Sequence, residues 1–160
     1  YIAVLASVGQ QLILVVAAVI VYAWGSRLSS GSLPAATALI ARWTFGICSV
    51  VFGLGHLTAV HDVAPMIPNW MPLGGAFWIV LTGIAFVLAG LAILAGILDV
   101  LAARLFALML LIFSLVVLAP MIFASPHNHI AWGGNAYNLA AVGAAWIFAD
   151  WLATRRHRAH

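Results

Sequence analysis

The residues that could carry chemistry gather at two breaks in an otherwise apolar chain. His56, His61 and Asp62 stand at the first, ahead of prolines at 65, 68 and 72, and Pro126, His127, Asn128 and His129 form the second. Imidazole ligates zinc, copper and iron, and a carboxylate adds an oxygen ligand. His56, His61, His127 and His129, with Asp62 beside them, are therefore the candidate metal ligands, although their spacing matches no zinc motif. On one helix a spacing of five offsets His56 from His61 by about 140°, so the two converge only if that helix ends near Val60. A bis-His haem needs two ligands at matching depth on facing helices, and only His56 lies clearly inside an apolar run. A quinone pocket asks for an apolar slot, one or two hydrogen-bonding groups and a group that passes protons. His56 with Tyr137 or Asn138 supplies the first groups, and His61 or Asp62 the proton exchange. The candidate cofactor-binding residues are thus His56, His61, Asp62, Tyr137 and Asn138, for a quinone first and for haem or a His-bound metal second. The competing reading is a polar cap that only ties helix ends together or docks another subunit. No nucleophile–base pair, Gly-rich phosphate loop or paired carboxylate is present, so an enzymatic activity is left open.

Composition sets the medium in which these residues work. Apolar residues make up 66% of the 160-residue chain and charged residues 6%, against roughly 25% charged in ordinary globular domains. Polar groups this sparse cannot cover a water-exposed surface, so the expected solvent is a lipid bilayer. The formal charge of +3 is scattered, without the basic patch that nucleic-acid binding requires. The single Cys48 lies in an apolar run and reads as a small buried hydrophobe.

A span needs about 20 mostly apolar residues. Five stretches fit, at about 2–24, 38–60, 74–98, 102–123 and 134–153, the last diluted at its start by Asn135, Tyr137 and Asn138. The expected fold is an all-α, polytopic helical bundle of five transmembrane helices in one domain. The first run has no basic segment before it and no small-residue cleavage site, and is read as a span, not a signal peptide.

The arginines orient this bundle. Arg27 and Arg42 flank the first loop, Arg104 the third, and Arg155, Arg156 and Arg158 lie in the tail. With five crossings all of them fall on one face, which the positive-inside rule makes cytoplasmic. The N-terminus is then outside, the C-terminus cytoplasmic and the histidine end outward, the arrangement of a bacterial inner-membrane protein. Arg42, Arg104 and Asp150 are expected to snorkel toward head groups. Trp24, Trp70, Trp78, Trp132 and Trp151, near span ends, are expected at the interfaces. In the second span Arg42, Gly46, Ser49, Gly53 and His56 recur at steps of four and three, one stripe of a helix. Small residues let helices approach closely in lipid, so this stripe is expected to pack on the third span, which carries Gly75, Thr82, Ala89 and Gly96 with Gly83 and Gly90 beside them.

At the end of the second span the sequence resembles the DoxX-like family of small integral membrane proteins. Arg42, Phe52-Gly53-Leu54-Gly55-His56, Ile67-Pro68-Asn69-Trp70-Met71-Pro72, Trp132 and Gly143-Ala144-Ala145-Trp146 carry the resemblance, which extends over about 41–150. It implies a four-helix core, here with one additional N-terminal helix, and a link to membrane redox systems such as a thiosulfate–quinone oxidoreductase subunit. Many members carry a glutamate in the third of the present spans, where this chain reads Ile79-Val80-Leu81-Thr82-Gly83 without an acid. The expected function is an integral membrane subunit of a redox or electron-transfer complex, with a quinone or prosthetic group near the outer histidines. The alternative is a non-catalytic accessory subunit of a larger membrane assembly. Expected partners are the bilayer and other membrane subunits, with no nucleic acid.

Overall fold

A backbone surrounded by apolar side chains must close its own hydrogen bonds, and this one closes them as helices. The computed structural model describes residues 2–26 and 35–157, among which there is no strand. Helix α1 is Ile2–Ser26, α2 is Ala35–Thr58 and α3 is the single turn Val60–Val63, followed by a 3-10 turn at Ala64–Met66. Helix α4 is Gly74–Ala95, α5 is Asp99–Phe113, α6 is Ala119–Ala124 and α7 is His129–His157. A π-helical segment, Ser114–Leu118, joins α5 to α6 in one continuous rod. Three segments are long and apolar enough to cross a membrane: Leu39–Thr58, Gly74–Ala95 and Asp99–Ala124, among the described residues. Their outer faces expose Leu81, Leu88, Leu91, Leu101, Leu105 and Leu108, an apolar surface suited to lipid contact.

The long helices pack in a ring: α1 against α2, α2 against α4, α4 against α5, α5 against α7, and α7 back against α1. Neighbours from α2 to α7 alternate in direction. Arg42 reaches Gly96 while Gly53 meets Gly83, which makes α2 and α4 antiparallel. Arg104 pairs with Asp150 while Leu110 meets Asn138, which does the same for α5 and α7. The breaks at 59–73 and 125–128 therefore share one end of the bundle, and Arg42, Asp99, Arg104 and Asp150 share the other.

The expected stripe on α2 is the α2–α4 contact. A Cβ at Gly53 would lie 2.6 Å from the Gly83 carbonyl oxygen, and one at Gly90 would lie 2.6 Å from that of Gly46, so backbone meets backbone. Between these crossings the buried Ser49 donates its hydroxyl to the Phe86 carbonyl at 2.8 Å. Ser49→Ala is expected to cost about 0.5–1.5 kcal/mol, the net worth of one such bond, read as a lower unfolding midpoint in detergent. At the far end of α4, Gly96 takes φ +70 and Ile97 N–H bonds back to the Ala92 carbonyl at 3.1 Å, a glycine C-cap that stops the helix. Helix α7 begins earlier than its diluted composition suggests because Asn128 Oδ1 accepts the backbone N–H groups of Ile130 and Ala131, an N-cap. Both histidine-end breaks close by one device. Trp78 Nε1 donates to the Pro72 carbonyl and Trp132 Nε1 to that of Pro126, each six residues back.

Two expectations are corrected. Trp151 is not at an interface: it is buried in the core, stacked near Phe148, which itself lies flat on Phe45 with centroids 4.2 Å apart. Arg42 does not snorkel free: its Nη2 donates to Asp99 Oδ2 at 2.7 Å, and Asp99 is 1% exposed. Burial of that carboxylate requires a partner cation. Arg104 and Asp150 pair with each other at 3.4 Å, both side chains about half exposed.

Candidate functional site

His56 ends the small-residue stripe of α2, so the close α2–α4 packing that the glycines permit carries it to the bundle interior. Its Nδ1 lies 3.0 Å from the Phe52 carbonyl. A carbonyl only accepts, so Nδ1 is the donor in this contact, and in a neutral ring Nε2 is then left as an acceptor. Phe52, Phe86 and Phe113 surround the imidazole at centroid distances of 4.8, 5.3 and 6.5 Å.

From the opposite side comes Asn138 on α7, 4% exposed, whose Nδ2 donates to the Leu110 carbonyl at 2.7 Å. Further along the same rod stands Pro120. Its ring lacks an N–H and would clash with the carbonyl four residues back in a regular helix, and the rod widens to π geometry over Ser114–Leu118 just before it. Such widenings expose backbone groups and recur at functional sites. Helix α7 is tied to this rod at two points: Asn138 Nδ2 donates to the Leu110 carbonyl, which also accepts the Ser114 backbone N–H, and the Ser114 hydroxyl donates to Asn135 Oδ1. The asparagines that dilute the start of α7 thus hold it to α5.

His56 and Asn138 line one cavity of about 200 Å³, together with Phe52, Phe86, Phe113 and Thr82. Thr82 Oγ1 donates to the Trp78 carbonyl at 2.8 Å. Val63 and Met66, from the segment after α2, close the cavity toward the histidine end. Beside it an apolar groove of about 790 Å³ runs between α4 and α5. Thr82, Met109 and Phe113 form part of the wall of both spaces.

The remaining candidates lie elsewhere. The helix does end before Val60, as convergence of His56 and His61 requires, but Ala59 breaks it so that His61 and Asp62 are exposed while Val63 turns to the cavity. Tyr137 is 46% exposed, because one residue from Asn138 is about 100° around the helix. His127 and His129 are exposed at the second break. The proposed quinone set is therefore brought together only at His56 and Asn138. Of the metal set, His56 alone enters the interior, and among the described residues no three of His, Cys, Asp or Glu gather as a metal site. Thr82, Met66, Met109 and the three phenylalanines belong to the site without having been singled out for it. Thr82 and the phenylalanines at 52 and 86 lie on faces flanking the glycine stripes, the one signal that could have found them. No protein-family model, curated protein or solved structure matches the chain.

Proposed function

We propose that the chain is an integral membrane protein of five spans that binds a ring-headed, tailed lipid of the quinone class at its His56 end, as the membrane subunit of a redox assembly in a bacterial inner membrane. The carrying observation is that a ring-sized cavity bearing His56 and Asn138 adjoins a long apolar groove through shared walls. A cavity of roughly 150 Å³ takes up benzene, so about 200 Å³ accommodates a substituted ring. The groove between α4 and α5 suits a polyprenyl tail, and lies on the face where such a molecule would enter from lipid. The ring of five packed helices supports five spans, α1 and α7 flanking the three apolar segments. The arginine pattern supports a cytoplasmic C-terminus, an external N-terminus and an outward histidine end. The DoxX-like resemblance, resting on the residues quoted for it, points to the same redox setting.

The test uses protein reconstituted in lipid nanodiscs. Trp78 lines the groove, so titration with a short-tailed quinone is expected to quench tryptophan fluorescence saturably. Solvent extraction of protein purified from membranes is expected to release bound quinone. Failure of both would leave the accessory reading, decided by which chains co-purify.

A further inference from the structure

The geometry points to a site that selects the reduced, hydroxyl-bearing head of such a lipid over its oxidised, carbonyl-bearing form. This rests on the quinone-class reading and specifies which redox state the protein holds. The argument is an inventory of what each polar side chain at the cavity has left to offer. His56 commits its Nδ1 proton to the Phe52 carbonyl, and the neutral ring then has Nε2 as an acceptor. Thr82 commits its single hydroxyl proton to the Trp78 carbonyl, with a second, longer contact to that of Ile79, so only its lone pairs remain. Asn138 commits one N–H to the Leu110 carbonyl, keeping Oδ1 and one further N–H. Each partner carbonyl is a fixed backbone group on a helix, so these commitments hold the donors away from the ligand.

The three polar residues that line the cavity thus hold three acceptors against one remaining donor, and the other lining residues are Phe52, Val63, Met66, Phe86 and their apolar neighbours. An oxidised quinone head carries only acceptors. It would meet at most the spare Asn138 N–H and leave Nε2 facing a group that cannot donate to it. A quinol carries a hydroxyl on each side of its ring and so supplies the donor that Nε2 lacks. Desolvating an acceptor without a donor is the costly side of hydrogen bonding, and sites built around a ligand hydroxyl discriminate strongly against analogues lacking it. Preference for the quinol by about tenfold or more follows. The dimethyl ether of the quinol has nearly the same ring and tail and no hydroxyl, so it isolates the donor from shape.

The experiment compares anaerobic binding of a short-tailed quinol, the matching quinone and the quinol dimethyl ether to nanodisc-reconstituted protein. The expected order is quinol about tenfold or more tighter than either of the others. In His56→Phe, which keeps an aromatic ring in the phenylalanine cluster and removes Nε2, the quinol advantage is expected to shrink toward unity. Equal binding of quinol and quinone by the unaltered protein, or tighter binding of the quinone, overturns the preference while leaving the quinone-class site intact. An ether that binds as well as the quinol overturns it also. Binding of none of the three overturns the quinone-class reading itself.

Discussion

Replacing Arg42 with alanine is expected to lower stability by about 2–3 kcal/mol, less than for a pair with both groups buried, since the Arg42 side chain is 32% exposed. Arg42 Nη2 meets Asp99 Oδ2 at 2.7 Å, and the Asp99 side chain is 1% exposed. Without that guanidinium the buried Asp99 carboxylate loses its bond to Arg42, and a buried charge depends on the bonds it keeps. Two features anchor Asp99 where it is. Its Oδ1 accepts the Val100 N–H at 2.8 Å, and it opens α5, where the positive end of the helix dipole favours an anion. Asp99→Asn removes the charge and retains an acceptor for Val100, so a smaller loss is expected. Arg42→Met combined with Asp99→Leu should recover much of the Arg42→Ala deficit, because apolar side chains of similar volume often replace a buried pair without loss. Arg104→Ala is the control. That guanidinium stands 3.4 Å from Asp150 with both side chains about half exposed, and such pairs are worth at most about 1 kcal/mol. Unfolding midpoints of the four variants in detergent test this. Similar losses from Arg42→Ala and Arg104→Ala would refute the distinction between them.

The second large effect separates glycines that hold helices together from glycines that do not. At Gly53 a new Cβ would stand 2.6 Å from the Gly83 carbonyl oxygen and 2.9 Å from the Val87 nitrogen. Backbone cannot turn aside as a flexible side chain does, so Gly53→Ala must push α2 and α4 apart. Overpacking of this kind costs about 1–3 kcal/mol. The displacement also reaches the site, since His56 follows Gly53 by three residues on α2 and Thr82 and Phe86 sit opposite on α4. Quinone quenching of Trp78 fluorescence is therefore expected to weaken in the same variant. At Gly143 the added Cβ meets nothing within 4 Å. Gly143→Ala is expected to stabilise by about 0.5–1 kcal/mol through reduced backbone freedom. Opposite signs at the two positions, measured under one set of conditions, support the close-packed α2–α4 contact; a loss at Gly143 as large as at Gly53 would argue against it.

Much of the bundle was legible because a backbone sheathed in apolar side chains has few options but to bond to itself. Runs of about 20 apolar residues become helices, and glycine at steps of three and four marks the face where two of them touch. Arg42, Gly46, Ser49, Gly53 and His56 form the α2–α4 seam for that reason. The ends of the helices were less legible, because they depend on single hydrogen bonds. Asn128 starts α7 five residues before its apolar run, and Gly96 ends α4 three residues before its apolar run does. The candidate site was legible only in part. Both breaks lie at one end of the bundle, but a loop in sequence does not say which side chains turn inward. Ala59 interrupts the helix and rotates His61 and Asp62 outward, while Val63 and Met66 take the positions facing the cavity.

Residue types and periodicity thus determined by themselves that this chain folds as apolar helices, which stripe binds α2 to α4, and that His56, His61, His127 and His129 lie at the opposite end from Arg42 and Arg104. Those properties are local: they follow from solvent, helical period and side-chain size. Tertiary structure alone decided the partner of Arg42, found 57 positions away in Asp99, and the meeting of His56 with Asn138 across one cavity. It also decided that Tyr137 faces outward while its neighbour bonds the carbonyl of Leu110. Such pairings depend on how each helix is rotated, which is set by the packing of the whole bundle and not by any one of its helices.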